Sequence, residues 1–214
     1  RHCIILTTLA ALTQVTIPPE IFLRNSLHLI PGQSVGSREA LIGRLSEAGY
    51  LRADTVEDPG SFAVRGEIID VYPPDQEAPI RVELFGDEIE MLRVFDPSTQ
   101  RTSADPAAKI AELRIPPARE VLINPSTSGL IRERVKQRAD DLGIRRPVRD
   151  PLLESILHGG YPDHSDAWAP FAYETPSTVL DYVTRFSSGP ELIWQDELSC
   201  LQLWDQFHSD QKKL

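Results

Sequence analysis

Residues 60–101 read GSFAVRGEIIDVYPPDQEAPIRVELFGDEIEMLRVFDPSTQR, and this stretch decides the fold prediction. It holds three runs with the composition of β-strands, at 62–72, 79–85 and 88–95. Pro73-Pro74 ends the first run, because proline cannot donate a ladder hydrogen bond in a central strand. A short Gly-Asp turn separates the second run from the third. The stretch therefore predicts a three-stranded antiparallel meander.

The alternation of side chains predicts which face of this meander is buried. The second run alternates strictly between apolar side chains and the others, which is typical of a strand with one face in a core. In the third run we expect the apolar side chains to share a face with Arg93. The side chains expected on the buried face are Ile80, Val82 and Leu84 in the second run and Ile89, Met91 and Phe95 in the third.

Two residues of the first run, Arg65 and Gly66, need a separate explanation. If 62–72 is one strand, Arg65 lies on its less apolar face, where an arginine is usually solvated or paired with a cross-strand acid. Gly66 would then lie in the interior of a strand. A glycine there predicts either a β-bulge or the close approach of a partner's backbone, and the two are compatible.

The residue order in this stretch is more specific than its pattern. The segments FAVRGEIIDVYPP at 62–74, IRVELFGDEIE at 80–90 and FDPSTQR at 95–101 closely resemble the UvrA-binding domain of bacterial nucleotide-excision repair. Two families carry that domain, the damage-loading subunit UvrB and the transcription-repair coupling factor. The FDPSTQR ending resembles the coupling factor, and Ala63 stands where UvrB would normally have a second arginine.

The resemblance implies an α/β fold with an inserted α+β lobe. The lobe, an antiparallel-sheet UvrB-interaction domain that binds UvrA, is predicted to span 25–117. Residues 1–24 and 118–214 are then the two parts of a degenerate RecA-like domain.

Local patterns outside the meander predict the remaining elements. Caps and apolar periodicity indicate helices, and short apolar runs indicate extended segments. The predicted helices are 9–13, 38–48, 128–143, one from Asp150-Pro151 to Gly159 and a final one around 198–207. The predicted extended segments are 3–6, 21–30, 110–115, 121–123 and 191–194, and 161–176 is predicted to be an irregular packed loop.

Composition narrows the class of protein. Of 214 residues, 41% are hydrophobic and 25% are charged, which is ordinary for a soluble globular chain, and no apolar run approaches a membrane span of about 20 residues. The net charge of −10 disfavours a protein whose main task is to neutralise phosphates. Cys3 and Cys200 are predicted to be reduced thiols of a cytoplasmic protein. Because the chain lacks an initiating methionine, we expect it to be a piece of a longer protein.

The resemblance also implies a protein-binding site built around two arginines. The arginine with which the family contacts UvrA, in its Arg-Gly step, matches Arg65, and a second family arginine matches Arg52. Gly66 and Glu67 complete the predicted UvrA-binding set. A guanidinium pairs with a carboxylate through two parallel hydrogen bonds, which a lysine cannot reproduce.

No catalytic, cofactor or metal site is predicted. Gln195-Asp196-Glu197 is similar to the end of a Walker B strand, but acidic residues at such a junction are more often helix N-caps. The chain has no GxxxxGK[ST] loop. His158 and His164 lack the spacing of metal ligands. We therefore expect this chain neither to bind ATP nor to hydrolyse it.

The sequence thus predicts a non-catalytic module that recruits UvrA in transcription-coupled repair. RNA polymerase and double-stranded DNA are expected partners of the full-length protein, which the resemblance implies to be an ATP-dependent translocase, and no membrane is involved. The alternative is the matching fragment of UvrB, an ATP-dependent helicase-like enzyme that loads onto damaged DNA. A third interpretation, an unrelated nucleic-acid-binding module, is disfavoured by the acidity.

Overall fold

The computed structural model describes residues 5–102, 108–162, 164–175 and 177–186, together with 199, 201–203 and 205. Several predicted features lie wholly or partly outside these residues. They are the extended segments at 3–6 and 191–194, the two cysteines, the Asp196-Glu197 carboxylates and half of the final helix.

A mixed six-stranded sheet forms the centre of the first half of the chain. Its strands, in sheet order, are β2 (Leu51–Arg52), β3 (Ser61–Arg65), β4 (Ile68–Val71), β5 (Ile80–Phe85), β6 (Glu88–Asp96) and β7 (Arg101–Thr102). β2 runs parallel to β3, and the other neighbouring strands are antiparallel. The predicted antiparallel meander is therefore present, but the prediction of a purely antiparallel sheet is wrong at β2.

The first predicted strand, 62–72, is in fact a hairpin. Arg65 pairs with Ile68, so that Gly66-Glu67 is a two-residue turn between β3 and β4. Gly66 has φ +59°, as the first central residue of a type II′ turn requires, and only glycine adopts that conformation easily. Neither a β-bulge nor a strand interior occurs at Gly66. The apolar composition continues through the turn, which hid the reversal from the sequence pattern.

The predicted faces are confirmed for β5 and partly wrong for β6. Ile80, Val82 and Leu84 are buried as expected. In β6 the register shifts, because Glu83 pairs with Met91 whereas Leu84 pairs with Ile89. This β-bulge leaves one extra residue in β6 and reverses the alternation on either side of it.

On the two sides of this bulge, the side chains of β6 divide between the two faces of the sheet. Ile89 and Leu92 belong to the large core, whereas Phe95 belongs to a small cluster on the opposite face. Met91 and Arg93 pair with Glu83 and Arg81, so they share the face of Phe95. Ile89 therefore does not share a face with Met91, Phe95 and Arg93.

One face of the six-stranded sheet, here called the inner face, is covered by the large core. Two elements pack on it: α3 (Arg38–Glu47) and a two-stranded antiparallel sheet of β1 (Leu27–Leu29) and β8 (Leu113–Ile115). Ser37 caps α3 as predicted, because its hydroxyl accepts a hydrogen bond from the backbone N–H of Ala40 at 3.0 Å. Phe62, Val64, Ile69 and Val71 mark the inner face. The outer face carries Ala63, Arg65, Ile68 and Asp70.

A second core joins residues before β1 to residues after β8. The helices around it are α1 (Leu9–Thr13), α2 (Pro19–Asn25), α4 (Ser128–Asp141), α5 (Arg146–Leu157), α6 (Ala169–Ala172) and α7 (Val179–Phe186). The core members come from both sides: Ile17, Val121, Leu122, Ile123, Ile131, Val135, Leu153, Ile156, Ala169, Ala172 and Tyr173. A bridge between Thr16 and Ser177 also links the two sides.

Several predicted elements of the flanking parts differ in the structure. Helix α2 begins at Pro19, because proline fits the first helical turn, and it covers the first part of the segment 21–30 that was predicted to be extended. α5 starts at Arg146, four residues before Asp150, and continues through Pro151. The segment 161–176 contains a 3-10 turn at Ser165–Trp168 as well as α6. Val121 to Ile123 are buried, yet they form no strand.

The described part of the flanks shows helices and one isolated bridge, but no strand of a RecA-like sheet. The RecA-like assignment and the domain limits at 25 and 117 therefore stay predictions. No helix in the described ranges is long and apolar enough to cross a membrane.

Candidate protein-interaction site

Arg65, Gly66 and Glu67 lie together on the exposed tip of the β3–β4 hairpin. Two hydrogen bonds hold the backbone of this tip. The guanidinium of Arg38, at the start of α3, donates to the carbonyl oxygen of Gly66 at 2.8 Å. The backbone N–H of Leu84 in β5 donates to the carbonyl oxygen of Glu67 at 2.9 Å. The predicted site residues of this turn are thus presented on a backbone fixed from both sides.

The side chain of Arg65 is exposed and weakly engaged within the chain. Its Nη2 donates to the carbonyl oxygen of Asp54 at 3.3 Å. A guanidinium has five N–H donors, so one long hydrogen bond leaves most of them available for another molecule. Asp54 belongs to the loop 53–60, which connects β2 to β3. The contact orients the arginine along the outer face.

Arg52 is exposed as well, but the structure does not bring it together with Arg65. It pairs in register with Phe62, and residues in register point to the same face of a sheet, here the inner one. Arg65 lies three residues further along β3, roughly 10 Å at the usual rise per residue, on the outer face. Arg52 instead lines a cleft of about 280 Å³ together with Glu47, Tyr50, Ile123 and Tyr161. The two predicted arginines therefore lie on opposite faces of the sheet, Arg52 in the two-residue edge strand and Arg65 at the end of β3.

A buried ion pair, which sequence reasoning missed, lies on the outer face next to this site. Arg81 donates from Nε and Nη2 to the two carboxylate oxygens of Asp70, at 2.7 and 2.8 Å. The Asp70 side chain is 1% exposed and that of Arg81 is 14% exposed. This hydrogen bonding raises the pKa of the Arg81 guanidinium. The sequence signal that could have predicted this pair is an aspartate and an arginine in adjacent apolar strands, because such charges are buried only when paired.

The ion pair anchors the segments that cover one half of the outer face. The Arg81 guanidinium lies 4.9 Å from the centre of the Phe95 ring, and it also donates to the carbonyl oxygen of Gln100. The Gln100 side chain in turn donates to the carbonyl oxygen of Val56, in the loop 53–60. Val56 is fully buried against Phe95 and Ala63. This half of the outer face is therefore closed by the chain itself.

The other half of the outer face, at the hairpin tips, is open. Phe85, at the end of β5, is 80% exposed, and Ile68 is half-buried. We call the surface formed by Arg65, Gly66, Glu67, Ile68 and Phe85 the hairpin-tip patch. Phe85 was not among the predicted site residues. An aromatic residue on the polar face of an alternating strand was the signal that could have found it.

No group of histidine, cysteine, aspartate and glutamate side chains that could hold a metal ion occurs within the described ranges. The carboxylates of Asp196 and Glu197 lie outside those ranges. Trp168, Phe171 and Tyr173 pack in or against the second core.

The lobe is similar to a known domain family. Residues 27–120 match the family model of the UvrB interaction domain. The match includes the hairpin-tip patch, the buried ion pair and both predicted arginines, and it confirms the resemblance inferred from residues 60–101.

Whole-chain comparison then gives the particular proteins that this chain resembles. It is 30% identical to the transcription-repair-coupling factor of Myxococcus xanthus, over 92% of this chain and 16% of that protein. It is 28% identical to the factor of Bacillus subtilis over 84% of the chain, and 30% identical to that of Escherichia coli over 83%. The chain spans 16% and 15% of the lengths of those two relatives.

Proposed function

We propose that this chain is a non-catalytic module that recruits UvrA in transcription-coupled nucleotide-excision repair. The observation that carries the proposal is an exposed arginine on a rigidly held turn, inside the region that matches the UvrB interaction domain. The similarity to transcription-repair-coupling factors supports a role in DNA repair. In this proposal the lobe takes the place on UvrA that the corresponding domain of UvrB would occupy.

The contact is centred on Arg65, and the turn residues Gly66 and Glu67 contribute to it. Most donors of the Arg65 guanidinium are available to a carboxylate of UvrA, and such paired hydrogen bonds are among the strongest in protein interfaces. Gly66 lets the partner approach the backbone closely, since a glycine has no side chain there. Arg52 extends the contact around the narrow edge strand, because β2 is only two residues long.

The same similarity leads us to propose further partners for the full-length protein, namely RNA polymerase and double-stranded DNA, in the cytoplasm. The alternative, a fragment of UvrB, is less favoured for two reasons. The relatives compared are coupling factors, and Ala63 occupies the position where UvrB would have another arginine. Ala63 is also 2% exposed beneath Val56, so an arginine there would not fit this packing.

The direct test is a titration of the purified chain with UvrA, with the dissociation constant measured by calorimetry. We expect Arg65→Ala to weaken binding by roughly 30-fold, or about 2 kcal/mol, the usual loss for a central interface arginine. Arg65→Lys should restore part of the affinity, because a point charge cannot reproduce the guanidinium geometry. Arg52→Ala should also weaken binding.

The matched control is Arg114→Ala, which removes the same charge from an exposed position on β8 in the same lobe. It should bind UvrA like the wild type. Normal binding by a folded Arg65→Ala variant would contradict the proposed site. Saturable ATP binding by the chain would contradict the non-catalytic assignment and support the UvrB alternative.

A further inference from the structure

Phe85 is the most exposed large hydrophobic side chain of the six-stranded sheet, at 80% of its full exposure. It ends β5 immediately before the Gly86-Asp87 turn. The turn itself does not require an aromatic residue there, because the positive φ that reverses the chain belongs to Gly86. The fold thus gives no reason for a large apolar side chain at this position.

The register places Phe85 beside the turn that carries Arg65. Ile68 pairs with Glu83, and the next hydrogen bond along the same ladder runs from Leu84 N–H to Glu67. The following residue of β5 therefore lies alongside the Gly66-Glu67 turn. Side chains alternate along β5, which puts Phe85 on the outer face with Glu83 and with Arg65.

The chain covers the remaining part of that face but leaves this part open. The loop 53–60 closes the outer face over Ala63 and Phe95, and its contact with Arg65 through the Asp54 carbonyl marks the limit of that cover. Beyond this limit, an aromatic ring, a half-buried isoleucine and an arginine share one surface. Aromatic residues and arginines in this combination are enriched at the energetic centres of protein interfaces.

We propose that Phe85 is the apolar anchor of the UvrA contact, inserted into an apolar pocket beside the carboxylate that pairs with Arg65. This inference rests on the proposed function and adds a residue and a partner chemistry to it. Burial of the ring removes water from around the guanidinium, so the two contacts strengthen each other. Glu67 and Glu88, exposed on either side of the ring, predict cationic groups at the rim of that pocket.

The experiment measures UvrA affinity for the whole chain and for Phe85→Ala, Arg65→Ala and the double variant. Phe85→Ala should weaken binding by about 30-fold, as expected of an interface hot spot. The double variant should lose less than the product of the two single losses, because adjacent contacts are coupled. Val148→Ala, which removes an apolar side chain 70% exposed on α5, should bind normally. The urea midpoints of Phe85→Ala and the wild type should agree, since the ring has little packing to lose.

The outcomes separate this inference from the proposed function. If the wild type binds and Arg65→Ala weakens binding while a folded Phe85→Ala binds normally, the anchor is refuted and the proposed function is retained. If the wild type does not bind UvrA, both are refuted. An equal loss in Val148→Ala would also overturn the inference, because the effect would then follow surface hydrophobicity in general.

Discussion

Removal of the guanidinium of Arg81 should destabilise the chain more than almost any other single change on the outer face. Arg81→Met keeps the apolar stem but leaves the Asp70 carboxylate, 1% exposed, without its two short hydrogen bonds. Loss of one partner of a buried ion pair lowers the free energy of unfolding by roughly 3–5 kcal/mol, because an uncompensated charge stays buried. The lost contact with the Phe95 ring adds about 0.5–1 kcal/mol. We therefore expect a loss of about 4 kcal/mol in the free energy of unfolding.

The assay is urea denaturation followed by far-UV circular dichroism at neutral pH. The double variant Asp70→Asn/Arg81→Met should recover part of the loss, because the uncompensated charge is then absent. Arg93→Met is the matched control. Its nearest carboxylate, that of Glu83, is 3.5 Å away and both side chains are partly exposed, so the loss should stay below about 1 kcal/mol. Equal losses for Arg81→Met and Arg93→Met would refute the structural role given to the ion pair.

Three further predictions concern the turn and the second core. Gly66→Ala should destabilise the chain by about 1–2 kcal/mol, because the φ angle of Gly66 is +59°. Gly43→Ala in α3 should instead stabilise it by up to about 1 kcal/mol, because alanine favours a helix and has room there. Equal urea midpoints for the two variants would contradict this. Tyr173→Phe should cost about 1–3 kcal/mol, since its buried hydroxyl satisfies two backbone groups. Tyr72→Phe removes an exposed hydroxyl hydrogen bond from a half-buried ring and should cost less than half as much in the same denaturation assay. Burial raises the pKa of Tyr182 from 10.0 to about 12, so its contribution to stability is complete below pH 10 and is lost as the pH rises towards 12. Tyr182→Phe should therefore flatten the fall in unfolding free energy over that range, and an unchanged fall would refute the assignment.

Local sequence signals predicted an element correctly where a single physical cause determines it. The Ser37 cap and the apolar stripe of 38–48 predicted α3, and strict alternation predicted the buried face of β5. The sequence was misleading where two causes give the same pattern. Residues 62–72 have strand composition on both sides of Gly66, so one long strand and a hairpin give the same pattern. What distinguishes them is the positive φ of Gly66, which composition does not reveal.

The candidate site was only partly predictable from the sequence. The Arg-Gly step singled out Arg65 and Gly66, which lie exposed together, but the turn that presents them was not predicted. The placement of Arg52 on the opposite face follows from the parallel pairing of β2 with β3, a long-range pairing that no local pattern shows. Phe85 is exposed because the loop 53–60 covers the other half of the outer face. Arg81, which pairs with Asp70, holds that loop in place through Gln100.

The central claim is that the lobe binds UvrA at the place that UvrB uses. Its most direct test is competition, in which UvrA carrying fluorescently labelled UvrB is titrated with this chain and the anisotropy of UvrB is followed. We expect full displacement by the wild type, with an inhibition constant equal to the directly measured dissociation constant and roughly 30-fold weaker competition by Arg65→Ala. Binding of the chain to UvrA without release of UvrB would contradict it.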